Sequence, residues 1–328
     1  MNTRRKLVIA LGTGALAVPF GVFGQPAGKL PRVGILNAAT RESTGERIDA
    51  FKLRLRELGY IEGKSVLIDY RWADGRLDRL PGLVAELLQL KPDVIFAAGP
   101  ADTRAAKDAT STIPIVMGFD PDPVANGFVA SLARPGGNIT GLSTLAPELI
   151  GKQLELIKEI VPSLFRVAVI GSSIEPGNAQ VLKELELAAR AFKVQLQYLD
   201  ILDPKDIESA YRSITKGRAD AILVLQSPIA STLSAQFIGH AVKCRLPAIY
   251  PRSDFVKAGG FMSYGVSRID LGRRAAVYVD KILKGVKPSD LPVEQPTKFE
   301  VAINMKTANA LGIKIPQSIL LRADKVIE

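Results

Sequence analysis

Short apolar runs alternate with helix-like patterns along most of this chain, in two successive series. In the first, residues 32–36 form an apolar run suited to a parallel strand buried on both faces. Ser43-Thr44-Gly45-Glu46 then has the form of a capping box. Ile48, Phe51, Leu55 and Leu58 recur at helical spacing until Gly59. Strand patterns follow at 66–70, 94–97 and 115–118, and helix patterns at 77–90 and 102–109. Asp122 and Pro123 read as the cap and first position of a further helix over 124–133. The second series begins near Arg166, with strands at 167–170, 194–199, 221–225 and 248–250. Its helices fall at 178–192, 206–215 and 231–244. Such alternation specifies an α/β architecture of parallel sheets covered on both faces. Each series has about 110–120 residues, an ordinary domain size. The joint falls near 143–148, ahead of a helix at 149–160. The tail beyond Leu291 lacks the alternation; it is expected to return across the lobes and add a strand at 299–303.

Arg4, Arg5 and Lys6 precede an uncharged apolar stretch over residues 7–23. The pattern is that of a signal peptide over residues 1–24, cleaved ahead of Gln25. Gly12, Gly14, Pro19 and Gly21 make it a poor permanent membrane helix. The mature protein is therefore expected in the periplasm. Of the 328 residues, 47% are hydrophobic, enough for one large core or two smaller ones. The formal charge is +10, and loss of the three leading basic residues leaves +7. Lys and Arg are scattered beside Asp and Glu rather than interleaved with aromatics, so no nucleic-acid surface is expected.

Cys244 is the single cysteine and His240 the single histidine, which excludes an intrachain disulfide and a structural zinc cluster. No Gly-x-Gly-x-x-Gly follows the first strand, and neither a Walker loop nor Gly-x-Ser-x-Gly occurs. No cofactor, metal or catalytic residue is expected. An exported hydrolase would have to recruit His240, which the pattern places inside a helix.

In open parallel sheets, ligands sit beyond the C-terminal ends of the strands, where helix N-termini offer free N–H groups. This rule selects Asn37, Ala38, Gly99, Pro100 and Asp120 in the first series. In the second it selects Ser172, Ser173, Gln226, Ser227 and Tyr250, with Ser263 and Tyr264 in a turn over 263–265. Capping accounts for Asp122 and leaves Asp120 free to face a cleft, where it would accept from a ligand ammonium or hydroxyl.

Asp120-Pro121 is followed, over residues 127–143, by Gly-Phe-Val-Ala-Ser-Leu-Ala-Arg-Pro-Gly-Gly-Asn-Ile-Thr-Gly-Leu-Ser. This stretch, with residues 259–265 and the closing 321–328, resembles the ABC transporter substrate-binding proteins of the tryptophan/tyrosine-binding-like type. The resemblance runs from about Pro31 to the end. It implies a type I periplasmic-binding-protein fold: two Rossmann-like lobes with parallel sheets and a three-strand hinge. Lobe 1 would take residues 31–142 plus about 267–290, and lobe 2 residues 143–266 plus about 291–328. A small-molecule ligand would bind in the cleft between them by lobe closure. The implied partners are an ABC permease and its cytoplasmic ATPase, with the membrane touched only through the permease. Some members are similar to binders of aromatic amino acids. The aromatics at the expected cleft positions here are few, chiefly Phe119, Tyr250 and Tyr264. The rival class is a sensory ligand-binding protein serving a membrane receptor.

Overall fold

The computed structural model describes residues 29–328; the signal-peptide reading lies outside the described residues. The chain begins β1 (Arg32–Asn37), α1 (Arg41–Glu57), β2 (Leu67–Trp72), α2 (Leu80–Gln89), β3 (Val94–Ala97), α3 (Pro100–Ala109), β4 (Ile115–Asp120) and β5 (Ile139–Ser143). These five strands form one parallel sheet in the order β2-β1-β3-β4-β5. Its central strands are apolar along their length because helices cover both faces.

The chain continues α4 (Ala146–Ile160), β6 (Arg166–Gly171), α5 (Asn178–Phe192), β7 (Gln195–Asp200), α6 (Asp206–Lys216) and β8 (Ala221–Val224). Next come α7 (Pro228–Thr232), α8 (Ser234–Lys243), β9 (Ala248–Tyr250), α9 (Ser253–Lys257), β10 (Met262–Val266) and α10 (Arg268–Leu283). The tail supplies β11 (Phe299–Asn304), α11 (Met305–Leu311), α12 (Gln317–Leu320) and β12 (Lys325–Ile327). The second sheet has the order β12-β11-β10-β9-β8-β6-β7 and is parallel except for the β10–β11 pair. One face packs Leu154, Ile157 and Leu185 on Val167, Val169 and Leu223; the other packs Tyr211 and Phe237 on Ile222 and Val224. Each such side chain, fully buried, contributes about 1.5–3 kcal/mol.

The chain passes between the sheets three times: from β5 to α4, from β10 to α10, and from the segment after α10 to β11. Helix α10 therefore packs on the first sheet's side, its Leu271, Ala275 and Val279 meeting Ile48, Phe51 and Leu55 of α1. Gly272 allows that close approach, because a Cβ there would run into the carbonyl of Arg47. The returning segment is pinned beside β5: the Thr140 hydroxyl donates to the Leu291 carbonyl at 2.6 Å, and the Ser143 N–H to the Glu294 carbonyl at 2.9 Å.

Several local expectations are corrected. Helix α1 starts earlier than the capping-box pattern implies, because Thr40 is the cap and its hydroxyl accepts from the Ser43 N–H at 3.2 Å. Residues 77–79 form a 3₁₀ turn ahead of α2. The helix expected over 124–133 is instead a run of turns. Asp122 does cap, accepting from the Ala125 N–H at 3.0 Å, but Gly127 at φ 67° diverts the chain after one turn. The helix expected over 231–244 breaks at Leu233 into α7 and α8. Residues 263–265 lie within β10 rather than in a turn; Gly265 sits there because a Cβ would strike the Pro251 carbonyl.

Candidate functional site: a cavity between two sheets

The first sheet reverses direction between β1 and β3, and the second repeats that order with β6 and β8 at its reversal. Such switch points open a crevice beyond the strand ends. The two crevices face each other across a cavity of about 120 Å³, well above the roughly 10–15 Å³ a single water needs. The first sheet contributes Asn37 to Ala39 after β1, Gly99 to Asp102 after β3, and Phe119. The second contributes Glu175 and Pro176 after β6, Leu225 and Gln226 after β8, and Pro251 and Arg252 after β9. Leu149, Ile150 and Val181 add apolar wall.

Arg47 reaches the cavity from α1. It is 3% exposed, its Nε finds no hydrogen-bond partner, and its guanidinium lies 5.3 Å from the Phe119 ring centroid. Burial lowers its pKa to about 10, against the pull of Asp102. Asp102, in the first turn of α3, is 2% exposed with Oδ1 unpartnered. Burial pushes its carboxyl up to about 8, opposed by Arg47 and by the Ala38 and Gly99 N–H groups. Glu175 comes from the other side, buried, with Oε2 unpartnered. Burial raises its pKa well above the usual range, and the charges of Asp102 and Asp120 raise it further. Three ionisable groups thus line one cavity with bonding capacity unused.

Arg252 is different. Its Nε and Nη2 donate to the two carboxylate oxygens of Asp254, each at 2.9 Å. Its Nη1 donates to Gln226 and Ser231, each at 2.8 Å. Burial alone would raise the Asp254 carboxyl, but the charge and bonds of Arg252, with Arg268 behind, hold it below the usual carboxylate range.

Of the residues selected from the sequence, Asn37, Ala38, Gly99, Pro100, Gln226 and Tyr264 line the cavity. Asp120 is turned away into its own loop, where Oδ1 accepts from the Asp122 N–H and Asn126 Nδ2, both at 2.9 Å. Ser172 is buried and its carbonyl accepts from Asn178 Nδ2. Ser173 bonds Asp200 at the surface, and Ser227 caps α7 through the Ala230 N–H. Tyr250 is buried against Phe255, with ring centroids 4.9 Å apart. Ser263 is buried in β10 with its hydroxyl unpartnered. His240 lies on α8 against the Tyr211 ring at 4.9 Å, apart from the cavity-lining residues. Among the described residues, no group of three or more His, Cys, Asp or Glu is placed to hold a metal, and no helix is long and apolar enough to cross a membrane.

Reading from strand ends missed Arg47, Asp102 and Glu175. Arg47 carried a signal: it falls in phase with Thr44, Phe51 and Leu55 on the buried face of α1, where a charge is out of place.

The two sides also touch directly. Lys257 Nζ lies 2.6 Å from Glu46 Oε1. Gly75 sits against Thr232, and Gly177 is pressed on Pro121 and Asn126. The two sides therefore meet at three points.

Two α/β lobes, three crossings and a lined cavity between matching switch points define a binding protein of the type I periplasmic kind. The chain belongs to the ABC transporter substrate binding protein family, whose model matches residues 32–327. It is 27% identical over 286 residues to the tyrosine-binding protein of Clostridioides difficile (strain R20291), covering 87% of this chain and 82% of that one. Its fold is similar to a conserved domain protein from Vibrio cholerae, with TM-score 0.86, 29% identity, and coverage of 91% of this chain and 100% of that one. It is equally similar, at TM-score 0.86 and 26% identity with the same coverage, to a Streptococcus pneumoniae ABC domain in complex with L-Trp.

Proposed function

We propose that this chain is the periplasmic ligand-binding component of an ABC importer, and that its ligand is an α-amino acid with an apolar, aromatic-sized side chain. One observation carries the reading. A buried guanidinium and buried carboxyls, all with unused bonding capacity, face one cavity with apolar walls. An α-amino acid presents a carboxylate and an ammonium a bond or two apart, which suits Arg47 on one hand and Asp102 with Glu175 on the other. Phe119, Leu149, Ile150 and Val181 would receive the side chain. Asn37, Ala38, Gly99, Pro100, Gln226 and Tyr264 would shape the wall around it. The tyrosine-binding relative and the tryptophan complex support the same ligand class.

Each charge-assisted hydrogen bond is worth about 1.5–3 kcal/mol, and micromolar affinity needs about 8 kcal/mol. Contacts from both lobes exist together only in the closed form, so ligand shifts the open–closed equilibrium. The closed protein would deliver to a membrane permease driven by a cytoplasmic ATPase. Residues 1–24 would be the export signal, and the lobes would divide at the three crossings.

Thermal-shift and calorimetric titration of the mature protein against the twenty amino acids, sugars and aromatic acids tests this. Ligand at a hundredfold excess over Kd stabilises by about 2.7 kcal/mol. Aromatic or large apolar amino acids should raise the melting temperature while sugars do not. Stabilisation by sugars alone, or no response to any amino acid, overturns the reading.

A further inference from the structure

We infer that Glu175 is the specificity residue through which lobe closure reads the ligand's ammonium group. The inference rests on the amino-acid reading above and deepens it. Arg47 and Asp102 both belong to the first sheet's side, so they can receive an amino acid before the lobes meet. Glu175 is the carboxylate that only the second lobe brings.

Its placement is built. The segment between β6 and α5 is folded on itself, with the Glu175 N–H donating to the Ser172 carbonyl and the Asn178 N–H to the Glu175 carbonyl, each at 3.2 Å. Gly177 follows at φ 88°, pressed on Pro121 and Asn126 of the other lobe. Glu175 thus sits where the lobes make contact, 5% exposed, with a carboxyl oxygen that no protein group satisfies.

The groups that act on it come from several elements. Asp102 of α3 and Asp120 at the end of β4 are negative, and the Ala101 N–H gives slight compensation. Arg47 of α1 lies by Asp102 on the opposite wall. Closing an empty cavity therefore brings two carboxyls together with little to hold them, which favours their neutral forms. An ammonium has three N–H donors and can serve both carboxylates at once. It turns the contact that opposes closure into one that favours it. A ligand that lacks the amine still finds Arg47, but leaves Asp102 and Glu175 facing each other.

The test uses L-tyrosine, 3-(4-hydroxyphenyl)propionate, which lacks the amine, and tyramine, which lacks the carboxylate. Affinity is read by calorimetry and closure by the radius of gyration from small-angle scattering. In the wild type, L-tyrosine and, at higher concentration, tyramine should compact the protein, whereas the propionate should bind weakly without compaction. Glu175→Gln should lower the L-tyrosine-to-propionate affinity ratio at least tenfold and abolish the compaction that L-tyrosine induces. Glu175→Asp, one methylene shorter, should lower the same ratio by less. The ratio is taken within one variant, so altered stability cancels. Compaction of wild type by the propionate, or an unchanged ratio in Glu175→Gln and Glu175→Asp, overturns the inference alone. Wild type that binds none of the three overturns the amino-acid reading, and the inference with it.

Discussion

Arg47 and Arg252 stand on opposite walls of one cavity, both buried, and they are held in opposite ways. Four of the five Arg252 N–H donors are taken by Asp254, Gln226 and Ser231, so it stiffens the end of β9 and joins three elements of its lobe. Arg47 is left with an unpartnered Nε, an aromatic face and a carboxyl acting through space. A buried charge without partners destabilises the fold that contains it unless something else supplies them. One wall therefore holds a finished structural network, and the other holds capacity kept for a ligand. Proximity to a cavity does not distinguish the two; the state of the hydrogen bonds does.

Substitution separates them most sharply. Arg252→Met should cost about 1.5–3 kcal/mol of stability, because it leaves half-buried Asp254 with only its weaker side-chain contact to Arg268. Chemical denaturation would read this loss. Arg47→Met should do the reverse: the ligand-free protein melts no lower than wild type, while amino-acid affinity falls by about 1.5–3 kcal/mol, roughly 10- to 150-fold. Equal losses of stability in both variants would erase the distinction.

Acidity probes the same contrast with a smaller effect. Asp102, pushed up to about 8, holds a proton in the empty cavity at neutral pH, and burial with the charges of Asp102 and Asp120 shifts Glu175 in the same direction. An incoming ammonium favours the ionised forms, so binding releases protons. Affinity should rise between pH 6 and pH 8, by up to about tenfold per pH unit for each proton released. The stability of the empty protein should move the other way. Asp102 and Asp120, both raised to about 8, keep protons that the unfolded chain gives up near pH 4. Their contribution is complete below that pH and is lost as the pH rises to about 8. Melting temperatures at pH 5 and pH 8, with and without L-tyrosine, check both signs. Smallest of all, His240→Ala should remove only the stack on Tyr211, about 0.5–1.5 kcal/mol of stability, and leave ligand affinity unchanged.

The strand–helix alternation was legible because buried parallel strands leave continuous apolar runs such as Val94 to Ala97, and covering helices leave a 3.6-residue period. The loop after Asp122 was misread because a correct cap precedes it; Gly127, five residues on, decides the outcome through its backbone angle. Asp120 and Asp102 exchanged roles for a related reason. The strand-end rule favoured the residue that ends β4, yet Asn126 and the Asp122 N–H draw that side chain into its own loop. Asp102, two residues beyond the selected Pro100, lies in the first turn of α3 and looked like an ordinary helix-start acid. Glu175 was beyond reach, because its burial depends on a contact with the opposite lobe that no local pattern encodes.

Helix α10 has a bearing on how the chain is made. It covers Ile48, Phe51 and Leu55 of the first lobe but follows nearly all of the second lobe in sequence. A growing chain that has emerged only as far as β9 still exposes that apolar face, so the N-terminal lobe cannot mature as a unit ahead of the rest. Completion of the N-terminal lobe is thereby tied to nearly the whole length of the chain.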